Sequence, residues 1–114
     1  MKYALLIYSR EATAGGRASR EMPADIAAVL ERPEVTGYMR LENTEAATTV
    51  SGEPRGTLLT DGPFIDSKEF IGGLIFVEAG DLDGALAVAT DLQELGRTPA
   101  IEVRPVFEQE LGGA

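Results

Sequence analysis

Cysteine, histidine and tryptophan are all missing from this chain of 114 residues. Without cysteine there is no disulfide framework, no thiolate metal site and no cysteine nucleophile. Without histidine the commonest general base and the commonest metal ligand are gone. Any acid–base work at neutral pH would fall to carboxylates, lysine or tyrosine with displaced pKa values. No metal and no cofactor is expected. Cations are also scarce: 10 Lys and Arg stand against 19 Asp and Glu, a net charge of −9. That balance argues against nucleic acid, whose binding needs cationic neutralisation of phosphates, and equally against an anionic membrane surface. No apolar run approaches the roughly 20 residues of a membrane span, and the opening segment is too short for a signal-peptide core with its cleavage site. A cytoplasmic, soluble protein is the expectation.

What remains is enough for one domain over residues 1–114, a length that buries roughly two-thirds of the unfolded surface without staples. Residues 3–8 are apolar on both alternating faces, with Tyr3, Leu5 and Ile7 on one and Ala4, Leu6 and Tyr8 on the other. This marks a strand covered on both sides. Residues 10–20 (REATAGGRASR) are polar and glycine-bearing, hence a mobile loop, with Arg17 and Arg20 as solubilising charges. Pro23 suits the first position of a short helix carrying Ile26, Val29 and Leu30 on one face and ended by Pro33. Residues 34–45 have no clean period and take no assignment. Residues 46–51 and 57–60 form a hairpin around GEPRG. Residues 74–77 make a second strand apolar on both faces. Asp81 reads as the N-cap of a helix with an apolar stripe of Leu82, Ala85, Leu86, Ala89 and Leu92, terminated by Gly96. Residues 101–106 close the chain as a strand, Ile101 and Val103 alternating with Glu102 and Arg104.

This order predicts an α+β fold, a ferredoxin-like split β-α-β sandwich with an antiparallel sheet and an inserted hairpin. In that plan the first and third major strands are central, and here they are the two that are apolar on both faces. Both helices cover one face, so the other would expose a large apolar patch. The simplest solution is a homodimer burying the two open faces against each other, since the polar loop at residues 10–20 is poorly suited to cover one.

Four stretches in this order, MKYALLIY, TDGPFIDSKEFIGG, DLDGALAVATDL and IEVRPV, resemble the YCII-related family and its branch carrying the DGPF motif. The resemblance spans most of the chain apart from residues 9–45. It implies a small ferredoxin-like protein that dimerises as an α/β barrel. Most members have no established activity, some are encoded beside extracytoplasmic sigma factors, and a few relatives act as lyases or dehydrochlorinases through a histidine–aspartate pair. The sequence departs from the family pattern in four ways, the first being a first helix shorter than in many relatives. FIDSKE stands where FAETKE is usual, Gly84 stands where glutamate is common, and there is no histidine to carry that mechanism.

The central stretch supplies the candidate site. Asp61 reads first as an Asx-type corner before Gly62 and Pro63, and alternatively as a cleft-facing base or polar anchor. Beside Arg104, a bidentate partner, its pKa would fall and it would orient rather than catalyse. In an apolar pocket with Phe64 its pKa would rise and general acid–base work would open up; the sequence leaves both open. Lys68 is read as a loop residue paired with Glu69 or Asp66, or as a binder of an anionic ligand. Glu102 and Arg104 share a strand face about 6–7 Å apart, and Tyr8 is the choice for a pocket-lining hydroxyl. Gly72 and Gly73 lack a following helix N-terminus for a phosphate loop and read as a close backbone approach at a strand start. Asp61 is therefore the catalytic candidate, and Tyr8, Phe64, Lys68, Glu69 and Arg104 are the ligand-binding candidates.

Three functions compete: a small-molecule-binding dimer that extends to lyase or isomerase chemistry, a non-catalytic accessory or regulatory module, and a cofactor-free oxygenase suggested only by fold analogy. Lys68 and Arg104 discriminate between the first two: both lining one pocket favours binding, both solvated on a convex surface favours the module.

Overall fold

The computed structural model describes residues 1–10, 21–52, 56–65 and 67–110. The loop expected at residues 10–20, beyond Arg10, and the middle of the GEPRG turn lie outside the described residues. The elements run β1 (Lys2–Arg10), α1 (Ala24–Leu30), β2 (Val35–Arg40), a single 3-10 turn (Thr44–Ala46), β3 (Thr48–Ser51), β4 (Leu58–Asp61), β5 (Glu69–Glu78), α2 (Leu82–Glu94) and β6 (Ile101–Pro105). Four strands form one antiparallel sheet in the order β2-β5-β1-β6, and β3 and β4 pair separately as a hairpin. With two helices this is an α+β architecture compatible with the ferredoxin-like plan, and the two doubly apolar strands are indeed the central ones.

Alternation along the strands sorts the side chains. Tyr3 and Leu5 of β1 and Ile75 and Val77 of β5 point to the helices. There they meet Val29 of α1 and Ala85, Val88, Ala89 and Leu92 of α2 in one buried cluster. Leu5, Val77 and Val88 are essentially sealed from water; each such burial stabilises by about 1.5–3 kcal/mol. The helical stripe is rotated from the expected one: Val88 is buried, while Leu82 and Leu86 are 46% and 39% exposed. The opposite sheet face carries Ala4, Leu6 and Tyr8 of β1 beside Ile71, Leu74 and Phe76 of β5, Met39 of β2, and Glu102 and Arg104 of β6.

Asp81 caps α2 as expected, its Oδ1 accepting the Gly84 amide at 3.0 Å. A side chain at Gly84 would set its Cβ 3.0 Å from the Ala79 methyl, so this helix start closes onto β5 more tightly than a larger residue would allow. Gly96, at φ +76, turns the chain out of α2. Pro23 sits one position earlier than expected, at the N-cap of α1 with ψ 140, where its carbonyl accepts the Ala27 amide. The main addition is β2, in the stretch without an assignment. β2 is an edge strand with a register shift between Val35 and Gly37, which breaks the period-2 signal. No helix among the described residues is long and apolar enough to cross a membrane.

Candidate functional site: a cleft between the first helix and the sheet

A register shift in the central strands builds one end of the sheet. Ile7 pairs with Gly73 but Tyr8 pairs with Ile71, leaving Gly72 as the extra residue. A Cβ at Gly73 would stand 2.9 Å from the Met39 carbonyl oxygen, and one at Gly72 would collide with the Ser9 hydroxyl. The glycine pair thus serves close backbone approach, inside β5 rather than at its start. Gly72 also accepts the Leu41 amide at 2.9 Å, which extends the hold of β5 on β2. A bulge of this kind locally bends a strand, and α1, a helix of only 7 residues, faces it across the cleft.

The result is an open cleft of about 1120 Å³. Its floor is Ile7 and Ser9 of β1, Phe70 and Ile75 of β5, Tyr38 and Arg40 of β2, and Ile101. Its roof is Pro23, Ile26 and Leu30 with Leu92, and its rim holds Arg10, Glu21, Glu45, Lys68, Glu69, Arg97 and Thr98. Two ion pairs hold α1 against α2 and so set the width. Arg32 meets Asp91 at 2.8 Å, and Arg97 donates to Asp25 Oδ2 through Nε at 3.3 Å and Nη2 at 3.2 Å. At Asp25, desolvation works to raise the pKa. The hydrogen bonds from Arg97 and the Ile26 amide, with the charge of Arg97, outweigh it, so the carboxyl lies below its usual 3.8. Thr98 anchors the strand ends by donating from its hydroxyl to the Tyr8 carbonyl.

The sequence-derived candidates divide between three places. Lys68 and Glu69 line the cleft, Glu69 as the first residue of β5 rather than part of a loop. Tyr8 and Arg104 are on the opposite face of the sheet. There the Tyr8 hydroxyl reaches Glu102 Oε1 at 3.4 Å, and Arg104 Nε lies 3.6 Å from Glu102 Oε2. Asp61 and Phe64 sit at the end of the hairpin, exposed, Phe64 by 78%. Among the described residues Asp61 makes no ion pair with Arg104 and no Asx-type bond. The corner is held instead by backbone, Gly62 donating to the Ala47 carbonyl at 2.7 Å and the Thr49 hydroxyl donating to the Gly62 carbonyl at 2.7 Å. Gly62 is at φ +101, a conformation glycine adopts without strain. The six candidates therefore do not form one constellation within a single chain. Sequence reasoning missed Tyr38, Arg40 and Arg97 in the cleft. The one local hint at Arg97 was a cation just past the Gly96 stop; its partner Asp25 is 72 positions away.

A four-stranded antiparallel α+β sandwich with a charged-rimmed cleft at one sheet end defines the structural class. The family model for the YCII-related domain matches residues 1–110, and the chain belongs to this family. It is also similar to an uncharacterized protein of Rhizobium meliloti (strain 1021), 32% identical over 114 aligned residues that cover 93% of this chain and 92% of that protein.

Proposed function

We propose that this chain is a cytoplasmic, homodimeric small-molecule-binding protein of the DGPF branch, with its ligand seated in the cleft between α1 and the sheet. The observation that carries the reading is the cleft itself. It is a concave space walled by Ile7, Ile26, Leu30 and Phe70 with a few charged groups around its mouth, the usual composition of a ligand site. The homodimer is supported by the uncovered sheet face, where Met39 and Ile71 are 45% and 38% exposed, beside Leu6, Leu74 and Phe76. The reading stops at binding: the histidine–aspartate chemistry of lyase-type relatives has no histidine to run on.

The test uses the missing tryptophan. Phe70→Trp places a single indole in the cleft of a chain that otherwise has none. A metabolite library is screened by thermal shift, where a ligand at a hundred times its Kd adds about 2.7 kcal/mol. True cleft ligands must also move the indole fluorescence. Hits that stabilise without moving it, or no hits, sink the reading. A second reading, an accessory module, draws on the hairpin, where Val50, Leu59, Phe64 and Ile65 are each at least 67% exposed. It predicts an empty library screen together with capture of a protein partner that a Val50→Glu, Leu59→Glu double variant loses.

A further inference from the structure

The distribution of charge around the cleft is unlike that of the chain as a whole. Arg10, Arg40, Lys68 and Arg97 line it, and they are four of the ten cations in the protein. Glu21, Glu45 and Glu69 line it as well, but they are only three of the nineteen acids. Among the described residues the lining is thus four cations to three acids, with Asp25 offsetting Arg97, against ten to nineteen in the whole chain. A concave site relatively rich in one sign of charge favours ligands of the other.

These cations are not equally placed to serve a ligand. Arg97 holds Asp25 through a single oxygen and is still 50% exposed at the rim. Arg10 and Lys68 have no ion pair among the described residues. Both line the end of the cleft past the Gly72 bulge: Lys68 directly precedes β5, two residues before Phe70, while Arg10 pairs with Glu69 and so alternates to the sheet face away from Phe70. The remaining wall, Ile7, Ile26 and Tyr38, is apolar or amphipathic.

We infer that the cleft takes an organic anion, a carboxylate on an apolar or aromatic body, with the body against Phe70 and Ile26 and the carboxylate at Lys68, with Arg97 at the rim. This rests on the small-molecule reading above and narrows it. A lysine ammonium meets a carboxylate as a point charge and an arginine as a fork, whereas an uncharged head group gains neither.

The experiment compares matched pairs, each carboxylate with its own carboxamide, on phenyl, indole and short alkyl bodies, titrated against Phe70→Trp by fluorescence. The expected result is binding of the acids at least about tenfold tighter than their amides. That preference should shrink with added salt and be largely lost in Lys68→Met. Arg104→Met, altered on the other face of the sheet, should keep it, and unchanged melting temperatures for both variants exclude unfolding as the cause. Equal binding of acids and amides overturns the inference and leaves the binding reading standing. Binding of neither series overturns both. Loss of the preference in Arg104→Met but not in Lys68→Met also overturns the inference, since the anion would then sit on the open face.

Discussion

Leu74→Asp is the perturbation that most directly probes the proposed homodimer. Leu74 stands at the centre of the uncovered sheet face, opposite Leu6 on β1 and Met39 on β2. In the single chain the side chain is half-buried, so an aspartate there can turn its carboxylate to water. Against a second copy it cannot. Full burial of a leucine stabilises by about 1.5–3 kcal/mol; the half left open in the single chain accounts for about half of that, and two-fold symmetry brings it into the interface twice, for about 1.5–3 kcal/mol. That corresponds to a rise of roughly 10–10²-fold in the dimer Kd, before the cost of facing two carboxylates in a dry seam. Sedimentation equilibrium reads the outcome directly. The wild type should run at twice the chain mass of 12.1 kDa at micromolar concentration, while Leu74→Asp should run at the chain mass and still melt cooperatively. A wild type that sediments as a monomer, or a variant that dimerises as tightly as the wild type, refutes the reasoning.

Three further outcomes follow from the single chain. Leu5→Ala empties a fully sealed position of the core and should cost about 2–5 kcal/mol in urea unfolding with little change in m-value. Asp81→Ala removes the cap that accepts the Gly84 amide and should cost about 0.5–2 kcal/mol; Asp81→Asn, which keeps an acceptor, should recover most of it. Asp25 has a carboxyl pKa lowered from 3.8 in the folded state, so the stability it contributes is present above that value and lost as pH falls through the folded pKa. The melting-temperature gap between wild type and Asp25→Asn should therefore be open at neutral pH and close in acid. A gap that persists unchanged well below pH 3.8 would remove the Arg97 pairing as its cause.

The sequence by itself determined the central strands, both helices and the closing strand, because their patterns answer to local rules. Residues 3–8 and 74–77 are apolar on both faces and so had to be central. Asp81 and Gly96 bracket α2 with a cap and a left-handed stop. The two glycines in TDGPFIDSKEFIGG announced a close approach, and the backbone of Met39 and the Ser9 hydroxyl are what approach them. The edge strand β2 was illegible because an edge needs only one partner, and its exposed Tyr38, Met39 and Arg40 with a shifted register leave no period to read. Only the tertiary structure decided the site. Arg97, Ile26 and the segment holding Lys68 and Phe70 come from separate parts of the chain, and only the close spacing of Lys68 and Phe70 could be read in advance. They meet around one cleft, at the end of the sheet where the register of β1 and β5 shifts at Gly72. Tyr8 and Arg104, by contrast, lie on the other side of the sheet from the helices, a separation set by strand pairing and not by distance along the chain.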